Sequence, residues 1–341
     1  MFPEKLLPLT NEVIEMNRRG FITLVGGAAA SWPLAARAQL VTMPVVGFVY
    51  SAAGGPYAER LVAFRQGLAD IGFIDGRNVA LEYRFAEGHY ERLPALVSEL
   101  VRQPVAVIGA SGITAARAAK AATATIPIVF NTGGDPVRLG LVASLNRPEG
   151  NLTGVVTLGK VLVAKQLELL RELVPKAAAV AFLVNPTNAV VQDEIGDAQV
   201  AADALGQNLL VVEASSERDF DAAFAAITQK RAAALLMQTD PFLESMRGKL
   251  VGLAAQHAVV AVSPYLDYAA AGGLLSYGSS ITDALRLVGN YAGRILKGEK
   301  PADLPVQQAV KVEMIVNLKT AKALGLTVPT AILLRADTVI E

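Results

Sequence analysis

The fold is decided by the stretch 45–130, which opens with Val45-Val46-Gly47-Phe48-Val49-Tyr50. Three further short runs, each rich in β-branched or other apolar residues, follow at 79–83, 105–108 and 126–130. Apolar residues recur at helical spacing in the segments between these runs, at 58–71, 90–102 and 114–121. Strands that are apolar on both faces and joined by helices predict a parallel sheet that is covered on both sides.

The same alternation starts again in the second half of the chain. Strands are predicted at 178–184, 209–213, 232–237 and 259–262, with intervening helices at 190–205, 217–228 and 242–256. The chain has 341 residues, whereas a single hydrophobic core stops growing at roughly 250–300 residues. The two sets of βα units therefore predict an α/β protein with two doubly wound parallel-sheet lobes.

Three extended segments are predicted to join the lobes as hinges, at 151–157, 273–278 and 306–316. The predicted N-terminal lobe comprises 43–156 plus 279–303, and the predicted C-terminal lobe comprises 157–278 plus 304–341. Ligands of open parallel sheets bind at the carboxyl ends of the strands. Two facing lobes are thus expected to trap a ligand between them and to close on it by hinge motion.

The first 38 residues have the composition of an export signal. Arg18-Arg19 precede a short apolar stretch at 24–30, and Ala36-Arg37-Ala38 follow it. This order predicts a twin-arginine signal that is removed after Ala38, with release of the mature chain into the periplasm. The alternative is an amphipathic helix that stays attached. The apolar stretch is too short for a permanent membrane span, so no stable membrane insertion is expected after cleavage.

Composition excludes several classes of function. Net charge is zero, which argues against nucleic acid or an anionic membrane as the partner. Cysteine is absent, which excludes thiolate catalysis, disulfides and cysteine-ligated metals. His89 and His257 lie far apart and are predicted to be ordinary surface or packed histidines rather than metal ligands. The turns at 50–56 and 109–114 lack a dinucleotide fingerprint, and no Walker loop or nucleophile elbow occurs. We therefore expect no catalysis and no cofactor.

Small polar residues and tyrosines near strand ends and hinges are the candidates for ligand contact. Ser111 and Thr114 lie where a helix is predicted to begin, so their hydroxyls and free backbone N–H groups can hold a carboxylate. Helix capping by either residue is the competing interpretation. Asn185 and Asn188 either contact the ligand from the second lobe or form a plain turn. The complete predicted set is Ser51, Ser111, Thr114, Asn131, Asp135, Thr157, Asn185, Asn188, Asp240, Tyr268 and Tyr277.

Two aspartates and a group of tyrosines allow both structural and functional interpretations. Asp135 and Asp240 each precede a proline, as a helix N-cap does, and this alone explains both pairs. Either can also accept a ligand ammonium group, for which Asp135 is favoured. Tyr265, Tyr268 and Tyr277 lie near the second hinge, where core packing accounts for at least one. Tyr268 and Tyr277 are predicted to be the more exposed and to wall the cleft.

The sequence also resembles a family of ABC-transporter substrate-binding proteins, from Pro44 to Glu341. Its leader is similar in Arg18-Arg19-Gly20-Phe21-Ile22-Thr23-Leu24 and in the stretch 32–39. The body is similar at 127–130, 135–137, 140–145, 148–154, 272–278, 294–306 and 317–326. One departure is Glu149, where relatives commonly have glycine. The resemblance implies a type I periplasmic-binding fold and a small ligand delivered to an ABC permease in the inner membrane. It also implies aromatic amino acids, tryptophan or tyrosine, as candidate ligands.

The leading hypothesis is a periplasmic solute-binding protein that captures a small polar ligand, with an aromatic amino acid as one candidate. An exported enzyme on the same two-lobed architecture is an alternative, and turnover of a bound ligand would favour it. A sensor that presents its ligand to a membrane kinase is another alternative. The fold alone does not choose among them, because one scaffold hosts several functions.

Overall fold

The computed structural model describes residues 43–52, 54, 58–157 and 159–341. The chain divides into two units, Met1–Met43 and Pro44–Glu341, and every element described below lies in the second unit. The predicted export signal at 1–38 lies outside the described residues.

Within the described ranges, six strands form the first sheet in the order β11-β5-β4-β3-β1-β2, and all neighbouring strands are parallel. The strands are β1 (Val45–Tyr50), β2 (Ala80–Phe85), β3 (Val105–Ser111), β4 (Ile128–Thr132), β5 (Leu152–Val156) and β11 (Gln307–Gln308). Four helices accompany this sheet: α1 (Ala58–Asp70), α2 (Leu93–Arg102), α3 (Ile113–Ala122) and α10 (Ile281–Leu296).

Helices α1 and α10 pack closely, although they come from opposite ends of the chain. Glycines allow this approach. A Cβ atom at Gly67 would clash with the backbone carbonyl of Arg286, and one at Gly289 would clash with the carbonyl of Phe64. Helix α10 therefore packs on the first sheet. Its Leu285 is buried in the same core as β1.

Seven strands of the described chain form the second sheet, in the order β13-β12-β10-β9-β8-β6-β7. They are β6 (Val180–Val184), β7 (Leu209–Glu213), β8 (Ala234–Met237), β9 (Val260–Ser263), β10 (Leu275–Ser279), β12 (Val312–Asn317) and β13 (Thr338–Ile340). Strand β12 runs antiparallel to β10, and the other pairs are parallel. The helices of this half are α4 (Gly159–Leu173), α5 (Val191–Ala204), α6 (Asp219–Gln229), α7 (Pro241–Ser245), α8 (Arg247–Gln256), α9 (Asp267–Ala270), α11 (Leu318–Ala323) and α12 (Thr330–Leu333).

The described part of the chain crosses between the sheets three times: from β5 to α4, from β10 to α10, and from β11 to β12. The central strands β4, β6 and β8 are buried at every residue, as parallel strands covered on both faces should be. The prediction of an α/β protein with two parallel-sheet lobes is therefore confirmed.

One predicted lobe boundary needs correction. The sequence placed residues 304–341 in the second lobe, but Gln307–Gln308 pair with β5 of the first sheet. Leu304 and Ala309, which lie on either side of this short strand, are buried in the same core as β1. The chain therefore leaves the first lobe only after this short strand, where Ala309 donates its N–H to the carbonyl of Val156.

One predicted helix is divided in the structure, and Glu149 has an unusual backbone conformation. The predicted helix 242–256 is broken at Met246, which ends α7 and begins α8 with φ −92° and ψ 10°. Glu149, the departure from the family pattern, has φ 61°, a left-handed conformation that glycine adopts without steric cost. In addition, none of the helices in the described ranges combines the length and the apolar character that a membrane span needs.

Candidate ligand-binding site

The carboxyl ends of the two sheets face a common cavity of about 50 Å³. Both lobes contribute side chains from the last two residues of a strand or from the first four residues after a strand. The first lobe contributes Ser51, Ser111 and Asn131, the second lobe contributes Asn188, Thr239 and Tyr265, and Thr157 comes from the first hinge between them. Six residues of the predicted ligand-binding set line this cavity: Ser51, Ser111, Thr114, Asn131, Thr157 and Asn188.

Helix α3 begins at the cavity without a side-chain cap. Its N-cap residue is Gly112, with φ 92° and ψ 146°, so neither Ser111 nor Thr114 takes the capping role that was the competing interpretation. The Gly112 N–H donates to the carbonyl of Asn131 at 2.9 Å. Because the first N–H groups of a helix have no partner within the helix, they attract anions. This end of α3 suits a carboxylate.

Two buried polar atoms at the strand ends of the first lobe lack a hydrogen-bond partner among the described residues. They are the Ser51 Oγ and the Asn131 Oδ1 atoms. Ser51 is 1% exposed and Asn131 is 6% exposed, so bulk water does not satisfy them. An unsatisfied buried polar atom costs about 1–3 kcal/mol, and such atoms are rare in native proteins. A bound polar ligand would remove this cost.

Asp240 supports the second-lobe wall and does not itself line the cavity. Its carboxylate accepts hydrogen bonds from the Tyr90 hydroxyl at 2.7 Å, the Asn188 amide at 2.8 Å and the Leu243 N–H at 3.0 Å. The Asn185 amide also donates to it, at 3.3 Å. Burial raises the pKa of Asp240, and the Tyr90 hydroxyl opposes this rise. The N-cap interpretation of Asp240 is confirmed, while Asn185 lies behind the wall.

Asp135 also lies outside the first cavity. It is exposed, and its Oδ1 atom accepts from the N–H groups of Val137 at 2.9 Å and Arg138 at 3.3 Å. A turn follows it where the Asp-Pro pattern predicted a helix, so that prediction is wrong. Its carboxylate borders a neighbouring cavity instead.

Neither tyrosine of the predicted set lines the cavity, although Tyr277 is the most exposed of the three near the second hinge. Tyr268 is 1% exposed and packs in the core of the second lobe, where a Cβ atom at Gly273 would clash with its ring. Tyr277 is half-buried on β10 and its carbonyl accepts from the Gln166 amide at 2.7 Å. Of the three tyrosines near the second hinge, Tyr265 lines the cavity, and the guanidinium carbon of Arg60 lies 5.8 Å from its ring centroid.

A buried polar network, missed in the sequence, joins the lobes beside the cavity. Glu244 of the second lobe accepts from the Tyr50 hydroxyl at 3.0 Å and forms an ion pair with Arg60, both from the first lobe. Arg60 also pairs with Asp267 at 2.8 Å. Burial raises the pKa of Glu244, whereas Arg60 and the Tyr50 hydroxyl lower it. Charged residues in helices usually face solvent, so the sequence carried no signal for this network.

A second cavity, of about 300 Å³, adjoins the first. The two share Gly133, Gly134, Val190, Glu194 and Thr239. Val163, Phe182 and Met237 form apolar parts of its wall, and Gln238 lines it as well. Together the cavities offer space of the size that small-molecule sites have, about 300–1,000 Å³.

Comparison with known proteins identifies the family. The model of the family described as ABC transporter substrate binding protein matches residues 56–340. A protein of Clostridioides difficile (strain R20291) named Tyrosine-binding protein is 28% identical over 265 residues, which cover 77% of this chain and 75% of that protein.

Two solved structures share the fold. A conserved domain protein of Vibrio cholerae is 25% identical with a TM-score of 0.82, and the match covers 87% of this chain and 100% of that one. An ABC domain of Streptococcus pneumonia in complex with L-Trp is 22% identical with a TM-score of 0.80, covering 88% of this chain and 100% of that one. The two lobes thus have the type I periplasmic-binding architecture. This chain belongs to the ABC transporter substrate-binding protein family.

Proposed function

We propose that this protein captures an amino acid between its two lobes and delivers it to an ABC permease in the inner membrane. Members of its family are substrate-binding proteins that bind small ligands and work with ABC permeases. The observation that carries the proposal is the pair of unsatisfied atoms, Ser51 Oγ and Asn131 Oδ1, beside the uncapped start of α3. A zwitterion supplies groups of both signs for such a site.

The two ends of the amino-acid group have different partners in the proposal. The carboxylate lies against the first turn of α3, where the hydroxyls of Ser111 and Thr114 join the backbone N–H groups. The ammonium group donates to Asn131 Oδ1, which accepts nothing else among the described residues. Asn188 faces them from the second lobe, so both lobes contact one ligand.

An aromatic side chain is proposed for the ligand. Tyr265 lines the first cavity, and the apolar wall of Val163, Phe182 and Met237 lines the second. The names of two similar proteins, one a tyrosine-binding protein and one in complex with L-Trp, support this class.

Export to the periplasm is part of the proposal. Proteins of this family are generally exported. The support for the twin-arginine route is the order of Arg18-Arg19, the apolar stretch 24–30 and the Ala36-Arg37-Ala38 site. Replacing Arg18-Arg19 by two lysines should retain the precursor in the cytoplasm, and fractionation with an antibody against the mature chain would measure this.

The protein is proposed to bind its ligand without changing it. Family members are substrate-binding proteins rather than enzymes. An exported enzyme on this scaffold would consume the ligand, and a sensor would require a membrane kinase in place of the permease.

A thermal-shift screen tests the proposed ligand class. Residues 39–341 are unfolded to remove any carried ligand, refolded, and melted with amino acids, nucleosides, sugars and small carboxylates. A ligand of the native state adds about 2.7 kcal/mol at a hundredfold excess over its dissociation constant. We expect aromatic amino acids to raise the melting temperature and to be recovered unchanged. A shift with sugars or nucleosides alone, or loss of the added compound, contradicts the proposal.

A further inference from the structure

Tyr90 joins the two lobes at a point away from both cavities. It follows β2 in the first lobe, and its side chain is buried. The hydroxyl donates to Asp240 Oδ2 at 2.7 Å and accepts from the N–H of Phe242 at 3.3 Å. Asp240 and Phe242 both belong to the second lobe, at the start of α7. One hydroxyl of the first lobe therefore makes two hydrogen bonds to the second.

The Tyr90 hydroxyl lies among buried groups of both lobes. Asp240 and Phe242 are buried, and the ring of Phe242 stacks on that of Phe220 with centroids 5.7 Å apart. The turn before Tyr90 also comes close to the second lobe, because a Cβ atom at Gly88 would lie 3.2 Å from Phe242 Cδ2. Hydrogen bonds are electrostatically stronger in such surroundings than in water. The bond from Tyr90 to Asp240 therefore favours contact between the lobes.

Donors surround the carboxylate of Asp240. Besides the Tyr90 hydroxyl, it accepts from the Asn188 amide at 2.8 Å, the Leu243 N–H at 3.0 Å and the Asn185 amide at 3.3 Å. An ionised carboxyl only accepts, so these donors fit the ionised form. Burial raises the pKa of Asp240, and among the donors the Tyr90 hydroxyl lowers it most. Loss of this donor leaves a buried charge less well satisfied, which costs more than loss of a bond between neutral groups.

Asp240 connects this bond to the wall of the first cavity. The Oδ2 atom that accepts from Tyr90 also accepts from the Asn188 amide, and Asn188 Oδ1 accepts from the N–H of Val190 at 3.1 Å. These bonds fix the orientation of Asn188, which lines the first cavity. Neither Tyr90 nor Asp240 is among the described residues that line either cavity. Tyr90 thus acts on the cavity wall through Asp240, without a ligand contact of its own.

We propose that Tyr90 is a positioning residue for ligand capture: its hydroxyl holds Asp240, and with it the Asn188 wall, against the first lobe, and so sets how long the ligand stays bound. Opening of the lobes transfers the hydroxyl to water and breaks its bond to Asp240. The inference rests on the proposed function, because it assumes a ligand between the lobes.

Stopped-flow fluorescence with L-tryptophan measures association and dissociation separately. Trp32 is the single tryptophan of the chain, so residues 39–341 contribute no tryptophan signal. Tyr90→Phe keeps the ring and removes one donor to a buried charge, at a cost equivalent to at least about fivefold. We expect the dissociation rate constant to rise by at least this factor. The association rate constant should stay at the wild-type value or rise, because the ligand enters between open lobes. Calorimetry with L-tyrosine should show the same loss of affinity.

Tyr291→Phe is the matched control. Tyr291 is also buried and its hydroxyl donates to the carbonyl of Pro305 at 2.6 Å, but both residues belong to the first lobe. This variant should lose stability and keep both rate constants. If Tyr90→Phe likewise keeps the dissociation rate constant of wild type, or if it slows association instead, the inference is overturned and the proposed function stands.

A double-mutant cycle shows whether Tyr90 acts through Asp240. Asp240→Asn removes the charge that the hydroxyl satisfies. In that background, Tyr90→Phe should change the dissociation rate constant by less than about twofold. Effects that multiply in the double variant would place the action of Tyr90 elsewhere and overturn the inference.

Small-angle scattering of the ligand-free proteins covers failure of the proposed function. Tyr90→Phe should have a larger radius of gyration than wild type and Tyr291→Phe. If neither amino acid binds but this difference is found, Tyr90 remains the residue that holds the lobes together and the amino-acid ligand falls. If neither amino acid binds and the three radii are equal, both are overturned.

Discussion

Single residues at the cavity are built for binding at the expense of stability. Ser51 is the clearest case, because its buried hydroxyl has no partner among the described residues. Ser51→Ala should leave the free energy of unfolding of the ligand-free protein unchanged or raise it by up to about 1 kcal/mol. The same variant should lower the affinity for the ligand. Chemical denaturation and calorimetry measure the two effects.

Ser276→Ala is the matched control for this prediction. Ser276 is also buried, but its Oγ atom accepts from the N–H of Ala269 at 2.9 Å. Its removal should lower the free energy of unfolding by about 1 kcal/mol without affecting the ligand. Equal destabilisation of both variants would mean that the Ser51 hydroxyl has a partner in the ligand-free protein.

The pH dependence of stability should report Glu194. Its pKa is raised from 4.5 to about 8 in the folded protein, mainly by burial. The folded state therefore binds this proton more tightly than the unfolded state, and the stability it contributes is lost as the pH rises from about 5 to about 8. Glu194→Gln has no such proton. The free energy of unfolding of wild type, measured by urea denaturation, should fall relative to Glu194→Gln over this range; parallel curves would contradict the assignment.

The sequence predicted site residues correctly where these residues lie at the carboxyl ends of parallel strands. Ser51, Ser111 and Asn131 were predicted because they lie at or directly beside the carboxyl ends of parallel strands, which meet at one edge of the sheet. Glu194 and Glu244 were missed because a glutamate within a helix gives the same pattern whether it faces solvent or another lobe. Tyr268 was misplaced because its distance from the core depends on how the short helix α9 folds back on Gly273.

At the scale of elements, the start of α3 is the decisive feature. Gly112 combines φ 92° with a close neighbour in each lobe, since a Cβ atom there would lie 3.2 Å from Ser51 Oγ and 3.4 Å from Pro241 Cγ. Gly112→Ala should cost about 1–3 kcal/mol from the backbone alone. It should also weaken the ligand, because the added methyl group hinders closure against Pro241. Chemical denaturation measures the loss of stability, and calorimetry measures the loss of affinity for the ligand.

Gly298→Ala controls for backbone strain. Gly298 has φ 101°, and a Cβ atom there meets nothing within 4 Å. Gly298→Ala should lower the free energy of unfolding by an amount comparable to that of Gly112→Ala. Its affinity for the ligand should equal that of wild type. An equal loss of affinity in both variants would show that the contact with Pro241 has no part in closure.

Elements themselves were largely predictable from apolar periodicity. Strand β1 was predicted with its observed bounds, and α3, predicted at 114–121, spans Ile113–Ala122. The break at Met246 was not predictable, because the pattern of apolar residues continues from α7 into α8 and only the turn geometry ends the first helix. Strand β11 was assigned to the wrong lobe because two residues are too short to show any period.

At the scale of the whole molecule, the network of Arg60, Tyr50 and Glu244 joins the two lobes, and we expect it to keep them together without a ligand. Glu244→Gln removes the buried charged partner of Arg60 and leaves Arg60 paired with Asp267, whose side chain is 44% exposed, so the cost is a part of the several kcal/mol of a fully broken buried pair. Opening of the cleft relieves the cost by exposing Arg60 to water. Small-angle scattering should therefore show a larger radius of gyration for ligand-free Glu244→Gln than for wild type.

Glu217→Gln is the matched control for the lobe network. Glu217 pairs with Lys249 at 3.1 Å on the surface of the second lobe, where Glu217 is largely exposed and Lys249 is 34% exposed. Exposed pairs contribute about 0–1 kcal/mol, so the scattering curve should match that of wild type. An unchanged radius in Glu244→Gln as well would show that other contacts keep the lobes closed.

The most direct measurement is a calorimetric titration of ligand-stripped residues 39–341 with L-tyrosine and L-tryptophan, followed by chromatography of the amino acid. A receptor that closes its lobes on one aromatic amino acid should take up one molecule per chain and return it unchanged. Absence of binding to both amino acids, or their conversion to a product, would contradict the proposed function.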